Sequence, residues 1–298
     1  MSIYETITNA IVNSIEKQEA GKWVMPWHSS NGLSMELPIN VISKKTYNGS
    51  NVLMLWIAAM DKGYGSNVWG TYKQWQELGA QVREGEKATH IAFFKKMQGK
   101  PAEGEEEGKM FGMLKPYYVF NSEQVDGWEA PAKAEKPAIA DPAALIESVD
   151  SFVVNTGATV KTGEARAYYV PSMDFINMPR RDLFTGSATS SATECYYSTL
   201  LHELSHWTGA EKRLNREFKN RHTEAYALEE LVAELSAAFL CATLGITSAP
   251  RPDHAQYINH WLTAMKGDSR VIFTAASAAQ KAADYLHGLQ VQETAIAA

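Results

Sequence analysis

Hydrophobic positions recur at helical spacing near the amino terminus, where Ile3, Ile7, Ile11, Val12 and Ile15 mark one side of a helix over 3–20. A short apolar run, Val52 to Met60, predicts a second helix at about 50–61, and a third at about 71–79 stops at Gly79. His90 to Met97 and Met110 to Phe120 have strand character. The Gly- and Glu-rich stretch between them, Gln98 to Lys109, reads as an exposed hairpin loop. Pro131, Pro137 and Pro142 lie among Ala, Lys and Glu and mark 127–142 as a linker.

Beyond the linker the pattern predicts strands at about 152–161 and 166–179, then four helices. The first of these begins at Ser191 with Glu194 at capping-box spacing. It runs without Gly or Pro from Ala192 to Trp207, with Leu200, Leu201, Leu204 and Trp207 repeating, and stops at Gly209. The second, Tyr226 to Cys241, carries Leu228, Leu231, Val232, Leu235 and Phe239 as its main stripe and small residues over much of the rest, so it should be buried nearly all round. Terminal helices follow at about 252–266 and 269–287. The expectation is an α+β protein of two domains, 1–126 and 143–298.

Composition narrows the picture a little. The apolar and charged fractions are those of an ordinary globular chain. Two cysteines are too few for a disulfide framework, which predicts a reducing compartment. The amino terminus lacks a signal-peptide layout and the longest apolar run is too short to span a bilayer, so no membrane association and a cytoplasmic location are expected. The net charge of −6 is uneven. Residues 1–100 hold 11 Lys/Arg against 8 Asp/Glu, leaving the remainder acidic and pointing a polyanion at the first part. Five of the eight tryptophans (Trp23, Trp27, Trp56, Trp69 and Trp75) also fall there, interleaved with lysines. Aromatics beside a basic groove hold single strands without reading sequence. Two or three of the five tryptophans, Trp56 foremost, are expected in the core, while Lys44, Lys45, Trp69, Lys73 and Trp75 are the candidate DNA contacts.

The chemistry concentrates in His202-Glu203-Leu204-Ser205-His206. Four residues apart on a helix, both imidazoles can face one ion, and Glu203 can reach a water bound to it. Zinc lowers the pKa of such a water towards neutrality, and Glu203 can take its proton. A hydrolytic zinc site keeps three protein ligands, so a third should come from the next helix, where Glu229, Glu230 and Glu234 are carboxylates on a buried surface. Glu229, the only charge in its arc, is the favoured ligand. Glu230 follows it, and Glu234 is expected to hold a histidine from behind.

At these residues a resemblance emerges. HELSHWTG, RLNR and YALEELVAEL resemble the metallopeptidase domain of ArdC-type antirestriction proteins, a zincin-like fold similar to Spartan-type proteases that act on DNA-bound proteins. Ala167 to Pro179 resembles the strand that precedes the metal helix and lines the cleft. In the first half, Met25-Pro-Trp27, Pro38-Ile-Asn40, Tyr47 to Asn51, Trp69 to Trp75 and Val82 to Lys87 resemble the single-stranded-DNA-binding domain of the same family and of plasmid primases.

The resemblance implies an antirestriction protein that binds single-stranded DNA, carries a zinc peptidase site and protects incoming plasmid DNA during conjugation. Zinc is the expected cofactor, with manganese as the alternative divalent ion. Restriction-enzyme subunits or DNA-bound proteins are the implied substrates. Two other functions use the same residues. One is a non-proteolytic protein that binds DNA or a restriction enzyme through a structural or vestigial metal site; the other is a metal-dependent nuclease. Glu203 counts against the first, and a single acidic helix in place of a carboxylate-rich two-ion site counts against the second.

Overall fold

A computed structural model describes residues 2–16, 36–98, 110–129, 142–187, 189–216, 224–247 and 255–290. Its first half opens with α1 (Ile3–Glu16), whose buried side is Ile7, Ile11, Val12 and Ile15. There follow β1 (Ile39–Asn40), α2 (Ser50–Lys62), β2 (Val68–Gly70), α3 (Tyr72–Glu77), β3 (Gln81–Val82), β4 (Thr89–Gln98), β5 (Met110–Asn121) and β6 (Val125–Asp126). A four-stranded sheet has the order β1-β2-β5-β4, parallel only between β1 and β2, and β3 pairs with β6. The α3 helix starts on a capping box in which Thr71 and Gln74 satisfy each other's backbone amides.

The second half holds α4 (Pro142–Asn155), β7 (Thr159–Thr162), β8 (Tyr168–Val170), β9 (Phe175–Met178), α5 (Ala192–Thr208), α6 (Glu224–Leu244), α7 (Ala255–Gly267) and α8 (Val271–Gly288). The three strands form one sheet in the order β7-β9-β8. Of the strand expected at 152–161 only the end forms: β7 begins at Thr159, while Val149, Phe152 and Val153 are buried at i, i+3 and i+4 and α4 continues to Asn155. The segment at 166–179 is two antiparallel strands joined by a turn that places Asp174 at φ 51.

These elements share one core. A single apolar cluster joins Ile11 of α1 and Trp56 of α2 to Leu204 of α5, Phe239 of α6 and Ile272 of α8. The rings of Trp56 and Phe239 lie 5.9 Å apart. Polar contacts cross as well: the Thr8 hydroxyl donates to the Ser269 carbonyl at 2.7 Å, and the Gly49 amide donates to Gln280 Oε1 at 3.2 Å. The two halves are therefore packed against each other rather than tethered. Of the expected linker, 130–141 lies outside the described residues, as do most of the hairpin loop, Trp23 and Trp27. Among the described residues no helix is long and apolar enough to cross a membrane.

Candidate metal centre

The centre is built on the start of α5. The Ser191 hydroxyl accepts from the Glu194 amide at 3.2 Å, while Glu194 Oε2 accepts from the Ser191 amide at 2.8 Å. This box fixes the helix register, and from Leu200 to Thr208 every side chain is buried. His202 and His206 come one turn apart on the side facing α6. Their Nε2 atoms lie 3.1 Å from each other, with the rings nearly perpendicular at 78°.

From α6, Glu230 faces both of these nitrogens, with Oε2 3.4 Å from His202 Nε2 and Oε1 3.6 Å from His206 Nε2. The donor atoms of His202, His206 and Glu230 all lie within 4.8 Å of one another. The opposite ring nitrogens face carboxylates too. Glu234 Oε2 is 3.3 Å from His202 Nδ1, and Glu229 Oε1 is 3.1 Å from His206 Nδ1. With each Nδ1–H donating outward, both Nε2 lone pairs converge on the point that Glu230 faces.

The third position expected at Glu229 is thus held in this geometry by its neighbour Glu230. Arg216 is the physical reason. Its guanidinium grips Glu229 through Nε to Oε2 at 2.9 Å and Nη2 to Oε1 at 2.8 Å. It also donates to the Ser205 carbonyl at 2.7 Å and the Thr208 hydroxyl at 2.9 Å, tying the end of α5 to α6. Sequence reasoning missed Arg216. The available signal was a cation in RLNR, a few residues beyond the metal helix and within reach of a buried acid.

A divalent cation suits this donor set. Two imidazole lone pairs and a carboxylate facing one another at these distances repel unless a positive charge lies between them. Glu203, Glu229, Glu230 and Glu234 are all buried, and Arg216 pairs with Glu229. Burial alone would lower the His206 pKa, yet Glu230 and Glu229 push it up to about 10. Burial would raise the Glu230 carboxyl, but the two histidines hold it far below the usual carboxylate range. Two nitrogens with one oxygen form a set that would suit a borderline-soft divalent ion.

A second network fixes the sheet to the same helix. The Asp174 carboxylate pairs with Arg213 and Lys212, the latter at 2.7 Å, and accepts from the Tyr169 hydroxyl at 2.8 Å. Arg213 in turn lies over the Trp207 ring at 3.8 Å. Its hydrogen bond holds the Asp174 carboxyl well below the ordinary value, while burial, reinforced by Asp174, pushes the Tyr169 hydroxyl up to about 12. The β8–β9 turn is thereby pinned to the end of α5.

Two of the expected DNA contacts are corrected. Trp69 and Trp75 are 1% and 0% exposed and cannot stack on bases. Trp69 packs with Leu55, Ile91 and Val119, and the Trp75 indole donates to the Phe120 carbonyl at 3.1 Å among Val41, Val82 and Val125. Lys44 and Lys45 are exposed on the turn after β1, and Lys73 is exposed beside Glu77 at 3.8 Å. Among the described residues the exposed large aromatics are Tyr72, beside Lys73, and on β4 and β5 Phe93 and Tyr117, with Tyr118 on the opposite face of the same strands.

Comparison with known proteins places this architecture. Residues 1–120 match the N-terminal domain of anti-restriction factor ArdC, and residues 147–278 match the zincin-like metallopeptidase family. An uncharacterized protein, y4eC, of Sinorhizobium fredii is 41% identical over 97% of this chain and 92% of its own length. The DNA primase TraC of Escherichia coli is 35% identical over 94% of the chain, which spans only 27% of that longer protein. The crystal structure of the antirestriction protein ArdC from plasmid R388 superposes with a TM-score of 0.79 in its metal-free form, at 39% identity over 97% of this chain and 98% of that one. Its Mn(II)-bound form gives 0.78 at 37% identity, covering 98% of this chain and all of that one. In sequence and in fold, the chain belongs to the ArdC family of antirestriction proteins, with a zincin-like metallopeptidase fold in its second half.

Proposed function

We propose that this protein is a zinc-dependent peptidase joined to a single-stranded-DNA-binding half, and that it protects incoming plasmid DNA from restriction during conjugation. The observation that carries the reading is the convergence of His202 Nε2, His206 Nε2 and the Glu230 carboxylate beside Glu203 on one buried helix pair. His202, His206 and Glu230 hold the ion. Bound zinc supplies an acidified water and polarises a peptide carbonyl. Manganese, present in the R388 relative, is the alternative ion.

The chain's own residues do the rest. Glu203 takes the proton of the attacking water and returns it to the leaving amine. Glu229 and Glu234 keep both imidazoles in the tautomer that offers Nε2, and Arg216 holds Glu229 in place. The substrates in this reading are restriction-enzyme subunits or other DNA-bound proteins, brought near by the strand that the protein holds.

The depth of the site favours a second reading, a DNA- or restriction-enzyme-binding protein with a structural metal, because Glu203 is only 3% exposed. Glu203→Gln separates the two. On the peptidase reading the variant keeps its zinc, loses cleavage of a restriction-enzyme subunit by about 100-fold or more, and loses protection with it. Full protection by a variant without cleavage selects the structural reading.

A further inference from the structure

A groove enclosing about 1100 Å³ runs along the seam between the two halves, lined by residues of both. One wall is the first-half sheet, where Ile91 and Val119 form a buried floor beneath Phe93 and Tyr117. These two rings are 54% and 43% exposed and lie edge to face, 5.6 Å apart. The other wall is α8. Its buried side is the alanine stripe Ala275, Ala276, Ala279 and Ala283, and its exposed side repeats Arg270, Thr274, Ser277 and Lys281 at helical spacing. The turn carrying Lys45 closes one end.

The charge of this surface is opposite to that of the molecule. Lys45, Arg270 and Lys281 line it and no Asp or Glu does, in a chain of net charge −6 whose second half is acidic. Among the described residues none of the three cations pairs with a carboxylate, and Arg270 lies 5.6 Å from the ring of Tyr4, another lining aromatic. Unpaired cations beside exposed aromatic rings suit a flexible polyanion with unstacked bases. A duplex buries its base faces and gains nothing from Phe93 and Tyr117.

We propose that a single-stranded nucleic acid lies in this seam groove, its phosphates against Lys45, Arg270 and Lys281 and its bases against Phe93 and Tyr117. This rests on the strand-binding reading above and extends it, because Arg270 and Lys281 belong to the half that carries the metal centre. The bound strand therefore bridges both halves, and neither half alone forms the site.

The test is fluorescence anisotropy of full-length protein with labelled oligothymidylate over a range of salt. Each phosphate contact on a single strand contributes about 0.7 to the salt slope. Arg270→Ala with Lys281→Ala should lower the slope by about 1.4 and weaken binding roughly 25-fold at 0.1 M salt. Phe93→Ala should weaken binding about 5- to 150-fold and leave the slope unchanged. Lys62→Ala, exposed outside the groove, should do neither. The groove is overturned if the double variant keeps wild-type affinity and slope, if Lys62→Ala produces the loss instead, or if duplex of the same length binds more tightly. In the first two cases the single-strand reading stands at another surface, and tighter duplex binding overturns that reading too. Absence of any binding by the wild type at low salt overturns that reading as well.

Discussion

Two adjacent glutamates on α6 show how much a single residue step decides. Glu229 and Glu230 are both buried, both acidic and both within reach of His206. Successive positions on a helix differ by about 100°, so one meets the Nδ1 side of the ring and the other the Nε2 side. The convergence of the histidine pair was legible because its spacing lies within one helix. The different surroundings of Glu229 and Glu230 were not, because Arg216 reaches Glu229 from beyond the helix, and no local pattern records where that guanidinium lands. Trp69 and Trp75 follow the same logic. A tryptophan beside lysines has the composition of a stacking platform, and only the sheet shows both indoles turned inward.

At the scale of elements, capping signals were the most faithful guides. The box read at Ser191 starts α5 where the sequence placed it, because it is a closed set of local hydrogen bonds, and α3 begins on a box at Thr71 that the sequence reading had not singled out. Strand boundaries in the second half were less legible. Phe152 and Val153 have strand propensity, but helical packing with Val149 overrides it. The hairpin of β8 and β9 depends on the long-range ion pair of Asp174 with Arg213, and this gives a pH signature. Because the folded carboxyl lies below its unfolded value of about 3.9, its contribution is complete above that pH and is lost as pH falls through the folded value. Asp174→Asn should therefore cost about 1–3 kcal/mol in urea unfolding at neutral pH. The gap to wild type should narrow below about pH 4. A gap that is constant across this range would assign the loss to the turn backbone instead of the carboxylate.

For the molecule as a whole, the expected pair of domains, 1–126 and 143–298, is joined by a common core. Ile7, Ile11, Leu53 and Trp56 are covered by residues of α5 to α8 as well as by first-half neighbours. A helix's apolar stripe announces that it must be covered but not by what, which is why two self-contained domains were the natural expectation. Calorimetry of the full chain should show one cooperative transition, and a fragment ending at 126 should not fold by itself, since it strips the cover from these side chains. Two resolved transitions, with the fragment matching one of them, would contradict the shared core. The same packing sets α8 against α6, so the helix that presents Lys281 to the seam groove is in contact with the helix that carries Glu229, Glu230 and Glu234.

The central claim is that His202, His206 and Glu230 form the metal-binding set, with Glu229 supporting His206 from outside. Competitive zinc titration of the wild type, Glu230→Gln and Glu229→Gln tests it most directly. The wild type should bind close to one ion per chain. Glu230→Gln should lose most of the affinity, while Glu229→Gln should retain a full site weakened by about 10- to 100-fold. A near-normal site in Glu230→Gln together with an empty one in Glu229→Gln would contradict the assignment.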